Sequence, residues 1–276
     1  MTTAAKEVTA LVRVEGGMAD DGVLDIYDAA DMIHGLARSL NIVAHSFANS
    51  EEIRVRANSA HGVQTLIHSS KKGCFEEQID VRFSEKIVRQ MGHSVIVNNF
   101  WDYLIYSWSA AVGKSANPGS SHLQKLVTVD EDFSYVIGDA LESAMQGVHK
   151  PIARESKAKI YLSRPRVGDL LKFDKHTLDY VTTRVEESGK IEIIGNVTRY
   201  NVLSDFGRLY SDSEGRTISF KLAHPNDKGM KQQVIQSMQD RVSEKPGKLM
   251  FTASKVVSAQ GLVKRYIVQD ITKAQT

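Results

Sequence analysis

The sequence predicts an α+β protein with a small N-terminal sheet, packed helices and a C-terminal five-stranded β-barrel that carries one helix. Three observations predict this class. The first half alternates short strand-like runs with long helical segments, the last third reads strand-strand-strand-helix-strand-strand, and the two halves carry opposite net charge. We therefore divide the chain into an acidic α+β domain at 1–150, a connector with edge structure at 151–189 and a basic barrel at 190–276.

Composition places the chain among ordinary globular proteins. Of 276 residues, 42% are hydrophobic and 25% are charged, which excludes collagen, coiled coils and disulfide-stapled miniproteins. A single cysteine, Cys74, excludes an intrachain disulfide and a cysteine-based zinc site. The cysteine content predicts a reducing, cytoplasmic location. The first eleven residues lack the apolar core of a signal peptide.

One segment, 95–112, has a length and hydrophobicity that a membrane helix would need. Asn98, Asn99 and Asp102 lie inside it, and these polar groups would be costly in lipid. We expect a buried helix there and no association with a membrane.

Charge separates the two halves. Residues 1–150 contain 13 Lys and Arg against 19 Asp and Glu, for a net charge of −6, whereas residues 151–276 contain 22 against 14, for a net charge of +8. A basic domain attracts polyanions over a long range. Two domains that attract one another, or chance, would produce the same asymmetry.

Periodicity predicts the elements of the N-terminal half. They are a strand at 8–15, a helix from about 24 to 49, a strand at 53–57, a hairpin of 62–69 and 75–83 with its turn at 71–73, and helices at 84–112 and 133–148. The connector is expected to hold strands at 158–162 and 179–185 and a further element from 167 to 173, which add edge structure to the C-terminal domain.

The C-terminal elements follow a recognisable order. Strands are predicted at 190–200, 207–211 and 216–222, a helix at 227–242, and strands at 249–257 and 262–271. Gly195 in the middle of the first strand permits the sharp bend that barrel strands need. This is the element order of an OB-fold barrel, whose strand face and loops commonly bind oligonucleotides.

The stretch 195–222, GNVTRYNVLSDFGRLYSDSEGRTISFKL, resembles a cold-shock domain or a related OB-fold. Gly195, Val197, Tyr200 and Asn201 stand where that family has its first-strand motif, and Phe206-Gly207 followed by Leu209 resembles its glycine-flanked aromatic motif. The third strand, 216–222, resembles that of the family as well. The resemblance implies an OB-like barrel that binds single-stranded nucleic acid.

The chain departs from this family at the positions where bases would stack. The predicted register places Arg199, Arg208, Ser219 and Lys221 outward and leaves Phe206 as the aromatic, with Tyr200 and Phe220 turned to the core. The helix after the third strand is also longer than a cold-shock domain carries. Since arginine pairs with phosphate and stacks on bases, a basic face still predicts single-strand binding.

The predicted nucleic-acid-binding residues are basic or aromatic side chains of the barrel strands. They are Arg199, Tyr200, Phe206, Arg208, Tyr210, Lys221, Lys264 and Arg265. The competing interpretation is that Arg199, Arg208 and Lys221 form a solvated face of the sheet. In the same interpretation, Lys264 and Arg265 lie at an exposed strand edge.

No catalytic or metal-binding pattern is visible. The nine histidines show no metal-ligand spacing, and neither a GxSxG motif nor a phosphate-binding loop is present. Asp20, Asp21, Asp25 and His34 are the candidates for an unfamiliar active site, although helix capping and an exposed helical stripe explain them too. The sequence therefore favours a protein that is not an enzyme and that uses no cofactor and no metal.

Two functional hypotheses follow. In the first, the barrel of a non-enzymatic protein binds single-stranded nucleic acid or another polyanion. In the second, the chain is a protein–protein interaction subunit of a larger bacterial or phage-related assembly. In either case the acidic N-terminal domain would bind a protein or self-associate.

Overall fold

A computed structural model describes residues 5–54, 58–68, 75–130, 132–186, 189–202, 205–245 and 247–274. The chain forms two compact units, residues 1–181 and residues 182–276. The first unit is a sheet with packed helices and the second is a β-barrel with one helix. The predicted α+β class is confirmed.

The first unit is built on a five-stranded antiparallel sheet. Its strands are β1 (Lys6–Glu15), β2 (Val63–Ile67), β3 (Phe75–Phe83), β4 (Lys159–Arg164) and β5 (Gly168–Phe173), in the order β2-β3-β1-β4-β5. The alternate residues Val8, Ala10, Val12 and Val14 of the central strand β1 are buried, as the period of two for a strand with one covered face requires.

Helices complete this unit. They are α1 (Ile26–Ala48), α2 (Glu85–Met91), α3 (His93–Ala111), α4 (Ser121–Val129), α5 (Phe133–Val148), α6 (Lys150–Arg154) and α7 (Lys175–Val181), with a 3-10 turn at Gly17–Asp21 before α1. Asp25 caps α1, since its carboxylate accepts hydrogen bonds from the backbone N–H groups of Tyr27 and Asp28 at 3.0 and 3.3 Å. Trp101 and Trp108 of α3 are buried, as predicted. Within the described ranges, no helix combines the length and the hydrophobicity that crossing a membrane requires.

Two predicted elements of this unit differ in the structure. The single helix at 84–112 is broken at Gly92, whose φ of 88° lies outside the helical region and separates α2 from α3. At 53–57, Ile53 and Arg54 lie outside any strand, and positions 55–57 lie outside the described residues. The predicted turn at 71–73 and Cys74 also lie outside them.

The predicted connector is divided between the two units. Strand β4 pairs with β1, with Leu11 opposite Ser163, and β5 pairs with β4. Residues 151–181 thus belong to the first unit, and only the short strand β6 (Thr183–Val185) adds edge structure to the second. The strand predicted at 179–185 is wrong for its first half, because 179–181 form the end of α7.

The second unit is a barrel of five strands with β6 at its edge. It consists of β7 (Ile191–Asn201), β8 (Phe206–Ser211), β9 (Arg216–Leu222), α8 (Lys228–Val242), β10 (Leu249–Ser258) and β11 (Val263–Lys273). The ring closes as β7-β8-β9-β11-β10-β7. The β9–β11 pair is parallel and the others are antiparallel. The predicted five-stranded barrel with one helix is confirmed.

Two glycines allow this ring to close tightly. A Cβ atom on Gly195 would lie 2.0 Å from the backbone oxygen of Tyr210, and one on Gly207 would lie 2.4 Å from the Phe220 ring. Gly195 pairs with both neighbours of β7, opposite Ser211 and opposite Leu249. The close approach of the neighbouring backbone therefore requires glycine at position 195.

Candidate polyanion-binding face of the barrel

The strand registers place three arginines in one row across the barrel. Arg199 on β7 lies opposite Arg208 on β8, Arg208 lies opposite Ser219 on β9, and Ser219 lies opposite Arg265 on β11. Directly opposed residues share a face of the sheet, with Cβ atoms about 5 Å apart. We call Arg199, Arg208 and Arg265 the arginine row.

The three members of the row differ in depth. Arg199 is exposed and Arg265 is half-buried, whereas Arg208 is only 1% exposed. The Nη2 atom of Arg208 donates a hydrogen bond to the backbone oxygen of Thr217 at 3.1 Å. The predicted outward orientation of Arg208 and Ser219 agrees with the strand registers. Neither side chain is accessible to solvent, however, since Ser219 is only 4% exposed.

A second row adds an aromatic ring and a lysine. Asn201 lies opposite Phe206, Phe206 opposite Lys221, and Lys221 opposite Ile267. Phe206 is half-buried and Lys221 is exposed. Lys221 makes no ion pair with any of the described residues, so its charge faces solvent.

Along β8 the side chains of this face alternate aromatic, basic, aromatic. Phe206, Arg208 and Tyr210 are two residues apart, which places them about 6.8 Å apart along an antiparallel strand. Tyr210 is 38% exposed. Two aromatic groups thus border the buried arginine and offer ring surface beside positive charge.

Tyr200 does not belong to this face. A β-bulge between Val197 and Arg199 shifts the register of β7, and the Tyr200 ring stacks on Phe220 with a centroid distance of 6.2 Å. Its hydroxyl donates a hydrogen bond to Asp205 at 2.8 Å. The bulge thus turns Tyr200 toward the barrel core, as its predicted register indicated, and we leave Tyr200 out of the candidate face.

A small ionic network lies beside the start of β8. Lys231 of α8 pairs with Asp205 at 2.6 Å. Burial would raise the pKa of Asp205, but the hydrogen bonds from Lys231 and Tyr200 outweigh it and lower the pKa. Burial and the neighbouring Asp205 raise the pKa of Tyr200. The network fixes the Asp205 side chain next to Phe206 and keeps Tyr200 protonated.

Lys264 differs from its neighbour Arg265. Residue 264 has no partner in the β10–β11 ladder, where Arg265 pairs with Val256 and Val263 pairs with Val257. It is the extra residue of a β-bulge, and it is half-buried. The structure thus places Arg265 in the arginine row, with Lys264 beside it at the barrel end.

Other basic side chains of this unit lie beside acidic side chains. Arg216 pairs with Glu214 at 3.6 Å and Lys248 pairs with Asp212 at 2.6 Å. The unit as a whole holds 15 Lys and Arg against 10 Asp and Glu, a net charge of +5. The strand segments 199–201, 206–210, 217–221 and 265–267, which form the two rows, contain no Asp or Glu, so positive charge is concentrated on this face.

Sequence reasoning placed Arg199, Arg208 and Lys221 on one outward face and turned Tyr200 to the core, but it missed two features. One is the position of Arg265 in the same row, which follows from the parallel pairing of β9 with β11. The other is the Tyr200–Asp205–Lys231 network. Both depend on contacts between separate elements, for which the local sequence holds no signal.

Two of the four candidates for an active site in the first unit have structural roles, and the other two are exposed. The Asp20 carboxylate accepts a hydrogen bond from the backbone N–H of Gly16 at 2.7 Å, Asp25 caps α1, and Asp21 and His34 are exposed. Over the described part of the chain, no group of three His, Cys, Asp or Glu residues is placed to hold a metal ion.

Comparison with known proteins gives two family matches. No curated protein and no solved structure matches the chain. Residues 190–272, which cover the barrel strands, match the Family of unknown function (DUF7947). Residues 11–182, more than half of the chain, match the Domain of unknown function (DUF7946), and this match ends at the boundary between the two units. The chain therefore belongs to the family described as Domain of unknown function (DUF7946).

Proposed function

We propose that the C-terminal barrel binds single-stranded nucleic acid, or a polyanion of similar charge spacing, and that the protein is not an enzyme. The observation that carries the proposal is the arginine row, which brings Arg199, Arg208 and Arg265 together across neighbouring strands. Arg199 is exposed and Arg265 is half-buried, so an anion at the surface can contact their guanidinium groups, and the buried Arg208 adds to the positive potential of the face. Phosphate oxygens suit the planar guanidinium group, which donates two parallel hydrogen bonds.

The rest of the face supports a single strand as the ligand. Phe206 and Tyr210 present ring surface on either side of Arg208, and bases stack on aromatic rings without regard to sequence. The resemblance of 195–222 to a cold-shock domain supports the same class of ligand. Because a basic residue occupies the central position, we expect phosphate contacts to contribute more than stacking and the sequence preference to be weak.

The salt dependence of binding tests this proposal. We expect the full chain to bind a fluorescein-labelled single-stranded oligonucleotide, with a logarithmic affinity that falls steeply with the logarithm of salt concentration. The double variant Arg199→Gln, Lys221→Gln removes two exposed charges from the face. Its slope should fall by about 1.4, since each phosphate contact on a single strand contributes about 0.7.

The matched control removes the same charge from another surface. Lys228 and Lys245 lie at and beyond the ends of α8, and both are exposed. The Lys228→Gln, Lys245→Gln variant should keep the wild-type slope. If both double variants lose affinity equally, net charge rather than this face determines binding. If the wild type fails to bind at low salt, the proposal is wrong.

A further inference from the structure

The first unit exposes a compact set of large apolar side chains before and at the start of α1. Met18 is 56% exposed, Val23 50%, Ile26 77% and Tyr27 79%. We call these four residues the apolar patch. Met18 and Val23 are adjacent in space, since the backbone N–H of Val23 donates a hydrogen bond to the backbone oxygen of Met18 at 3.2 Å, and Ile26 and Tyr27 follow in the first turn of α1.

This segment is held in place by the fold. Ala19 between these residues is fully buried, and Leu24 packs against the core of the unit. Hydrogen bonds from Gly16 to Asp20 and from Tyr27 to Asp25 fix both of its ends. The apolar side chains therefore point outward from an ordered backbone, so a partner would not bear the entropic cost of ordering it.

Acidic groups border the apolar patch. Residues 16–31 contain five aspartates and no Lys, Arg or Glu. Asp20 and Asp21 are exposed and make no ion pair with described residues, so their charges remain available to a partner. The rim is thus negative around an apolar centre, a composition typical of a specific protein contact.

The rim already binds one guanidinium group of this chain. Arg154 contacts the carboxylates of Asp25, at 3.3 Å, and Asp28. Lys150 lies 3.7 Å from Asp31. These pairs show that carboxylates at the start of α1 can accept basic side chains from a neighbouring element. They do not involve Asp20 and Asp21, which can therefore contact a second basic group.

We propose that the apolar patch and its aspartate rim dock a basic amphipathic segment of a partner protein, whose aliphatic side chains cover Ile26 and Tyr27 while its Lys or Arg side chains contact Asp20 and Asp21. A second copy of this chain does not fit through the same surface. In a twofold contact each patch would face itself, and the aspartates of both copies would approach one another. Binding of a partner at this surface does not require binding of a ligand at the barrel face.

Synthetic peptides provide the test. Three helical peptides share one leucine face and differ only in their polar face, which is Lys and Arg, Gln, or Glu. Titrated against the full chain by fluorescence anisotropy, the basic peptide should bind at least roughly tenfold more tightly than the Gln peptide, and the Glu peptide more weakly still. Equal affinities, or no binding of the basic peptide, would overturn the proposal.

Matched variants assign the binding to this surface. Ile26→Ser with Tyr27→Ser should lower the affinity for the basic peptide roughly tenfold, and Asp20→Asn with Asp21→Asn should lower it and flatten its salt dependence. The control, Ile235→Ser with Val242→Ser, removes two apolar side chains of α8 that are 45% and 86% exposed and should leave the affinity unchanged.

Three results would contradict the assignment. They are an equal loss in the control, an unchanged affinity in both patch variants, and a self-associated wild type that becomes monomeric in the Ile26→Ser, Tyr27→Ser variant by sedimentation. The last result would assign the surface to a second copy of the chain. Unchanged circular dichroism of each variant confirms that its fold is intact.

Discussion

Acidification should destabilise the first unit through one buried histidine. His149 follows α5 and is fully buried. Its Nδ1 atom lies 2.7 Å from the backbone oxygen of Met145 and its Nε2 atom 2.9 Å from Oγ1 of Thr177. Because a carbonyl only accepts, Nδ1 carries a proton and donates to Met145. The Thr177 hydroxyl donates to the backbone oxygen of Asp174 at 2.8 Å. Burial away from water disfavours the charged ring, so the folded protein favours the neutral imidazole.

The magnitude follows from the pKa. Burial lowers the pKa of His149 from 6.5 to about 4, so between these values the unfolded chain binds a proton that the folded chain does not. Stability is therefore fully present above about pH 6.5 and is lost as the pH falls toward 4. At about 1.4 kcal/mol for each pKa unit, the complete loss is about 3 kcal/mol, of which about 2 kcal/mol is lost by about pH 5.

Tryptophan fluorescence reports this loss selectively. Trp101 and Trp108 are the only tryptophans of the chain and both are buried in the first unit. Urea unfolding followed by their emission at about pH 7.5 and about pH 5 gives the change in the free energy of unfolding. His149→Gln is the control, because it cannot titrate in this range.

Comparing the wild type with His149→Gln isolates the contribution of His149 to the loss of stability at low pH. His45 is also buried with a lowered pKa, so part of the acid sensitivity remains in the variant. The wild type should lose about 2 kcal/mol more than His149→Gln over this interval. An equal loss in both proteins would refute the reasoning.

Three further predictions concern the barrel. Gly195→Ala should lower its stability by about 1–3 kcal/mol, because the new methyl group would lie 2.0 Å from the Tyr210 oxygen; a lower second transition in scanning calorimetry would show this, and an unchanged one would contradict it. Tyr200→Phe removes the hydrogen bond to Asp205 and should cost about 1 kcal/mol of stability without changing oligonucleotide affinity; a weaker affinity at intact stability would return Tyr200 to the binding face. Phe206→Ala should weaken oligonucleotide binding by about 1–3 kcal/mol in an anisotropy titration, and unchanged affinity would exclude stacking on this ring.

Local sequence patterns were sufficient to predict the barrel strands but not the burial of the side chains on their outer face. Alternation along 216–222 and the glycine at 195 depend on neighbouring residues alone, and the structure places both as predicted. The depth of Arg208 depends on residues from other strands. The two-residue repeat of a strand assigns each side chain to one face of the sheet, but it does not predict how much of that face is buried.

The strand β4 shows the same limit at larger scale. A strand at 158–162 was predicted from local sequence, but its partner, β1, lies about 150 residues earlier in the chain. The break between α2 and α3 at Gly92 could not be predicted from the sequence either. A glycine within a helical pattern costs about 1 kcal/mol and does not by itself require a break. Its φ of 88° shows that the chain turns there.

Amide chemical shifts measured during a titration test the barrel interface most directly. In a spectrum of the isotope-labelled full chain, a single-stranded oligonucleotide should shift the amides of Arg199, Phe206, Arg208, Lys221 and Arg265 most strongly, because the registers place these residues in two adjacent rows. Shifts confined to α8 or to the first unit, or no shifts at low salt, would contradict the assignment of this face to nucleic acid.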